Sequence, residues 1–327
     1  MGAGVGTSGD RSCMDVLRKI CYTSVVFLRR EAIALGYDDR ALARSVRSEA
    51  IHRVRRGSYV FRDQWDSLDG PGRHLVLTAA ALRTAEAEMV LSHVTAAVAH
   101  DVPIWDLPLD EVHLTRTDGR AGRRAAGIVQ HSGALPPDHV VLVHGVPVTS
   151  PARTAFDVAA TTDVEHGLCV VNDLLHRKLV TRAQLNAIST QMARVPGSLG
   201  VDLTFRLADG RCESIGESRS LYMFWMHSLP APELQYEIYD EHGQLVAVVD
   251  FAWPELGLFV EFDGRIKYER LRREGESVTD VVLREKKREA LICRLTGWRC
   301  HRIVWADLYR PVETCAIIRS MMSPTAV

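Results

Sequence analysis

The sequence predicts a multidomain α/β (α+β) protein in three parts: a winged helix-turn-helix at 14–63, a mixed α/β domain at 71–192, and an α-β-β-β-α-β domain at 200–327. Three observations lead there. The 327 residues exceed one typical domain, and such a length suggests two or three. Runs of helical period alternate with short β-prone runs along the chain. From Arg40 to Arg62 there are seven Arg against one Glu, a basic block concealed by a formal net charge of −1.

The rest of the composition is ordinary, 46% hydrophobic and 25% charged, so global charge selects no partner. Seven cysteines, Cys13, Cys21, Cys169, Cys212, Cys293, Cys300 and Cys315, are scattered without a C-x-x-C pair. That pattern fits reduced thiols in a cytoplasmic protein better than a disulfide framework or a zinc site. No apolar run approaches the roughly 20 residues that span a bilayer, so no membrane partner is expected. "MGAGVGTSGDRSC" lacks the basic and apolar regions of a signal peptide; it reads as a flexible tail, with Met14 as a second candidate start.

In "MDVLRKICYTSVVFLRREAIALG" the apolar spacing predicts one or two short helices stopped at Gly36. "YDDRALARSVRSEAI" predicts the next, with Asp38 or Asp39 at its N-cap and Leu42, Val46 and Ile51 on one side. "HRVRRGSYVF" then gives two β-prone runs around Gly57. Helix, helix, basic hairpin is the order of a winged helix-turn-helix. Arg40, Arg44 and Arg47 would occupy successive turns of the groove-facing helix, and Arg53, Arg55 and Arg56 would lie on the wing near phosphates. DNA is therefore the expected partner; a solvated basic helix on a structural domain is the plainer alternative.

The middle part begins with "HLVLTAAALRTAEAEMVLSHVTAAVAHDV", Ala-rich and read as helical. "EVHLTRT" and "VVLVHGVPVT" read as strands, and Ser150-Pro151 starts a helix. Two helices follow, around "VEHGLCVVNDLLHR" and "TRAQLNAISTQM". His93, His100, His113, His131, His144, His166 and His176 form no H-x-x-x-H pair and read as scattered core or surface residues. "GRAGRRAAG" has glycines without a βαβ context and reads as a basic loop. "ARVPGSLGVD" reads as a joint before the last part.

There, "ESIGESRSLYMFWMHSLP" predicts a helix, and "ELQYEIYD", "LVAVVDFAW" and "LFVEFDG" predict strands. A charged helix closes at Gly297, followed by the strand "WRCHRIVW" and a terminal helix after Pro311. If "PELG" is a four-residue hairpin loop, Trp253 pairs with Leu258 and Asp250 with Glu261, and Asp263 shares their face. Two like charges ~5 Å apart repel by about 3 kcal/mol at an effective dielectric near 20. A divalent cation held between them reverses that sign and is able to activate water against a phosphodiester. Three other outcomes stay open: a different loop length that separates the acids, exposure at a sheet edge, or pairing with Arg and Lys of the next helix. Glu217, three residues after Ser214, also fits a capping box.

Glu217, the run "VVDFAWPELGLFVEFDG" and the run "REKKREALICRLTGWRCHRIVW" together resemble the DUF559 group of the PD-(D/E)XK nuclease superfamily, related to very-short-patch repair endonucleases. The resemblance implies a restriction-endonuclease-like domain. In it Asp250 and Glu261 would hold Mg²⁺ or Mn²⁺, Glu217 and Asp263 would support them, and Lys287 or Arg284 would approach the scissile phosphate. The sequence departs from the pattern at Asp263, where such proteins often carry Lys; Lys267 or a helix Lys would have to substitute. The region 14–190, with "RVRRGSYVF" as wing and "VPVTSPARTAFDVA" in its middle, is similar to AbiEi-type antitoxins. That likeness implies a DNA-binding autorepressor with a cognate toxin and no catalytic residues. Two readings follow: a DNA-binding, Mg²⁺-dependent endonuclease, or an AbiEi-type regulator whose nuclease fold is inactive.

Overall fold

The structure, a computed structural model, describes residues 8–85, 88–264 and 278–322. The chain divides into two units, Met1–Val158 and Ala159–Val327.

The first unit opens with a helix, Ser8–Ser24, so the segment Ser8–Cys13 read as tail is helical. The strand Phe27–Leu28 and the helices Arg29–Ala34 and Asp39–Arg47 follow, then the hairpin Ile51–Arg55 and Ser58–Phe61. Asp38 caps the second of these helices, its Oδ1 accepting the Ala41 N–H at 2.6 Å. Ile51 sits on the hairpin and not on the helix, because the helix ends at Arg47 and the chain turns through Glu49 with φ +57°. The strands form a three-stranded sheet in which Phe27 pairs with Tyr59 and Ile51 with Phe61. Leu17, Phe27, Leu42, Ile51 and Phe61 make its core. Gly57, at φ +78°, supplies the left-handed turn at the hairpin tip.

Helix Gly70–Arg83 begins at Asp69, whose side chain accepts from Gly72. The Ala-rich stretch is not continuous helix: Met89–Leu91 is a strand, followed by the helix His93–Ala99. Met89–Leu91 takes an interior place in a six-stranded sheet, antiparallel to Val112–Arg116 and parallel to Val146–Thr149. A strand buried on both sides reads as a plain apolar run, which explains why its helix-like flanks hid it. Ile128–His131 pairs in parallel with Val112–Arg116. It pairs on its other edge with Arg123–Ala125, so part of the expected basic loop is an edge strand.

The second unit contains helices Val164–His176, Arg182–Gln191 and Ser198–Leu207. The last begins inside the stretch read as a joint, with Gly197 at φ +90° before it. The helix Ile215–Met226 follows, then strands Glu233–Tyr239, Leu245–Trp253 and Leu258–Phe262, the helix Val278–Thr296, the strand Arg299–Ile303 and the helix Pro311–Met322. This is the α-β-β-β-α-β order read from the sequence. The strands lie in that order, antiparallel except for the last, which runs parallel to Leu258–Phe262. Phe224, Phe251, Trp253, Phe262 and Ile318 belong to one core cluster, and Val249, Phe259 and Ile292 to a second. Trp253 pairs with Leu258 as the four-residue loop requires.

Candidate functional site

The basic face is built by the helix Asp39–Arg47 and the hairpin after it. Leu42 is buried beneath that helix while Arg40, Arg44 and Arg47 are exposed. On the hairpin Arg53 and Arg56 are exposed and Arg55 is half-buried. Burial lowers the pKa of Arg55 from its ordinary value. Among the described residues none of these six arginines forms an ion pair. Their neighbours differ: Arg29 pairs with Asp39 at 2.6 Å, and Arg62 with Asp66 at 2.8 Å. The carboxylates of this unit thus compensate the flanking cations and leave the central six uncompensated. Uncompensated cations of this kind give the surface a positive potential.

The acids of the hairpin formed by Leu245–Trp253 and Leu258–Phe262 lie in a cleft of about 440 Å³, lined by Asp250, Glu261, Asp263 and Glu285 together with Arg288 and Arg302. The ladder between the two strands runs from Trp253 opposite Leu258 to Phe251 opposite Val260; the expected pairing of Asp250 with Glu261 is not part of it, although both acids line the cleft. The Asp250 carboxylate accepts the Phe262 N–H at 2.8 Å. Glu261, 3% exposed, is held by two guanidinium groups. Arg288 contacts its Oε1, and Arg302 approaches Oε2 at 3.2 Å. Arg302 also binds Glu289 at 2.7 Å and lies 3.8 Å from Asp263. Burial raises the Glu261 carboxyl above its ordinary pKa, and Asp250 adds to the rise; the two arginines oppose it. The contact of Arg288 with Glu261 matches the alternative of pairing with a basic residue of the next helix; Arg302 comes from the strand Arg299–Ile303, which that alternative did not include.

Glu217 is 3% exposed, and its hydrogen bonds are those of a helix cap. Its Oε2 accepts from the Glu213 N–H at 2.8 Å and Gln235 Nε2 at 3.3 Å, and its Oε1 from the Ser214 hydroxyl at 2.8 Å. Ser214 Oγ in turn accepts the Glu217 N–H. The reach-back goes one residue beyond the N-cap, to Glu213, and otherwise follows the capping box. Lys287 is exposed and is not among the residues lining the cleft; the cations beside the acids are Arg288 and Arg302. Lys267 lies outside the described residues.

Two features escaped sequence reasoning. Arg302 stands 41 positions after Glu261, and nothing local marks the pair. The second correction concerns the histidines. His93, His113 and His131 are not scattered: one ligand nitrogen of each lies within 4.8 Å of the others. Burial lowers all three imidazole pKa values, that of His131 to about 4. Their spacings, 20 and 18 residues, carry no metal-motif signature; the parallel pairing of Val112–Arg116 with Ile128–His131 brings two of them together.

Comparison with known proteins places the middle of the chain. Residues 77–196 match the family described as AbiEi antitoxin C-terminal domain. The match does not extend to residues 197–327. The chain is 34% identical over 169 residues to the uncharacterized protein MT2308 of Mycobacterium tuberculosis, and equally to the uncharacterized protein Rv2248 of the same species. These alignments take in 51% of this chain, which spans 58% of each relative. A crystal structure of the RV2827C protein from Mycobacterium tuberculosis covers 69% of this chain and 88% of its own, at 13% identity and a TM-score of 0.39.

Proposed function

We propose that the chain is a cytoplasmic, DNA-binding regulator of the AbiEi antitoxin type, acting as an autorepressor and paired with a cognate toxin. The observation that carries this reading is the match of residues 77–196 to the AbiEi antitoxin C-terminal domain. The order of elements ahead of it supports a winged helix-turn-helix over 14–63. Helix Asp39–Arg47 would enter the major groove with Arg40, Arg44 and Arg47, and the hairpin would lay Arg53, Arg55 and Arg56 along the backbone. In this reading the α-β-β-β-α-β domain is a nuclease-like fold kept for binding or stability, with Glu261 neutralised by Arg288 and Arg302.

The competing reading, a Mg²⁺- or Mn²⁺-dependent endonuclease centred on Asp250 and Glu261, is favoured by one observation, that the two acids line one cleft. Its residues would be Asp250 and Glu261 as metal ligands, with Glu217, Asp263 and Lys287 in support. The donor set does not fit that role as it stands. Both Glu261 oxygens face guanidinium groups, both Glu217 oxygens serve the cap, and Lys287 is outside the cleft. Mg²⁺ requires carboxylate oxygens turned toward it in near-octahedral geometry.

The two readings separate in one experiment. Supercoiled plasmid and single-stranded DNA are incubated with the protein and Mg²⁺ or Mn²⁺, beside a DNA-binding assay in EDTA. The regulator binds duplex DNA in EDTA and leaves the plasmid intact with either metal. Metal-dependent nicking, abolished by Asp250→Asn/Glu261→Gln in a variant that still binds DNA, would replace it with the endonuclease.

A further inference from the structure

The three histidines form a cluster that the DNA-binding reading does not use. They come from three elements of the first unit: His93 opens the helix His93–Ala99, His113 lies in the strand Val112–Arg116, and His131 ends the strand Ile128–His131. His113 Nδ1 and His131 Nε2 stand 3.0 Å apart. The His93 ring stacks on that of His131 with centroids 3.6 Å apart. We propose that His93, His113 and His131 bind one divalent transition-metal ion of the zinc class, with a fourth position left to water or an external ligand.

The donor chemistry selects the ion. Three imidazole nitrogens suit Zn²⁺, Co²⁺ and Ni²⁺, whereas Mg²⁺ and Ca²⁺ take oxygen ligands. In a tetrahedral zinc site with bonds near 2.0–2.1 Å, ligand nitrogens lie about 3.4 Å apart. The three nitrogens already lie within 4.8 Å of one another; binding requires the His93 ring, now stacked on His131, to rotate out of the stack so that its lone pair converges with the other two. Its surroundings are arranged for the purpose. Ser92 Oγ lies 3.0 Å from His93 Nδ1, an outer partner of the kind that fixes an imidazole tautomer and leaves the other nitrogen for a metal. His93 has φ +53°, a left-handed conformation rare outside glycine and often found where a site requires it. His93 is buried while His113 and His131 are half-buried, which leaves a path for an ion. Two cations act on the cluster, Arg153 and Arg124; Arg153 is bonded to Asp157 at 2.7 Å and Arg124 to Glu111, and those pairings temper their repulsion of a metal. A plain core stack of neutral rings would share the packing but would have no saturable metal affinity.

The test uses the untagged, chelator-stripped full chain titrated with Co²⁺ and followed by visible absorption, then by displacement with Zn²⁺. One Co²⁺ per chain with a tetrahedral spectrum is expected, and Zn²⁺ should raise the melting temperature in a manner reversed by EDTA. His113→Ala and His131→Ala should each weaken binding by about tenfold or more, while His242→Ala, on an exposed turn, should not. These wild-type readouts do not depend on the variants folding, which circular dichroism checks separately. Absence of saturable Co²⁺ or Zn²⁺ binding by the folded wild type overturns the site. So does binding undiminished in the folded His113→Ala/His131→Ala double variant.

Discussion

Glu217 shows how one side chain serves structure while sitting where chemistry was expected. Three donors converge on its carboxylate at the start of the helix Ile215–Met226. Losing them at a buried position leaves the Glu213 N–H without this acceptor, at a cost of about 1–3 kcal/mol. Glu217→Ala should therefore lower the free energy of unfolding in urea by that amount, and Glu217→Gln should recover part of it. Unchanged stability in the alanine variant would return Glu217 to a functional role. The same logic holds at Glu261, which is buried between two guanidinium groups. Glu261→Ala would leave Arg288 and Arg302 without that partner and should destabilise by about 2–4 kcal/mol, read in the same denaturation experiment. At this scale the sequence revealed the acids and the hairpin that carries them, because turn residues and alternation along a strand are local. It concealed the arginines, because Arg288 and Arg302 meet Glu261 only through the tertiary fold.

Among the elements, the hairpin from Leu245 to Phe262 was legible because its loop contains Pro254 and Gly257, the latter at φ +58°. The strand Met89–Leu91 was not legible, since three apolar residues between helical runs have no period of their own. The strand Arg123–Ala125 was hidden differently: exposed and basic, it is a strand only because Ile128–His131 offers it an edge. The helix Ile215–Met226 packs on Leu258–Phe262 with little tolerance. A Cβ at Gly216 would fall 2.0 Å from the Phe262 ring, and that ring is itself packed edge-on against Trp305. Gly216→Ala should reduce stability by about 1–3 kcal/mol through overpacking, seen as a lower melting temperature in calorimetry. An unchanged melting temperature would mean that this helix–strand contact is looser than described.

For the whole molecule, charge is distributed unevenly between the places that matter. The acids of the second unit's cleft are met by Arg288 and Arg302, while six arginines of the first unit stand without ion pairs among the described residues. That contrast is the electrostatic basis of the proposed DNA-binding regulator, which rests first on the antitoxin-family match over residues 77–196. The basic block was visible in the sequence as composition, but its exposure became visible only when Asp39 and Asp66 were found pairing with other arginines. The decisive measurement is the affinity for duplex DNA across a salt series, for wild type, Arg44→Ala and Arg55→Ala. Affinity should fall steeply with salt, and each substitution should reduce the log–log slope by about 0.9, one phosphate contact. Affinity that is insensitive to salt, or slopes unchanged in both variants, would contradict the winged-helix account of this surface.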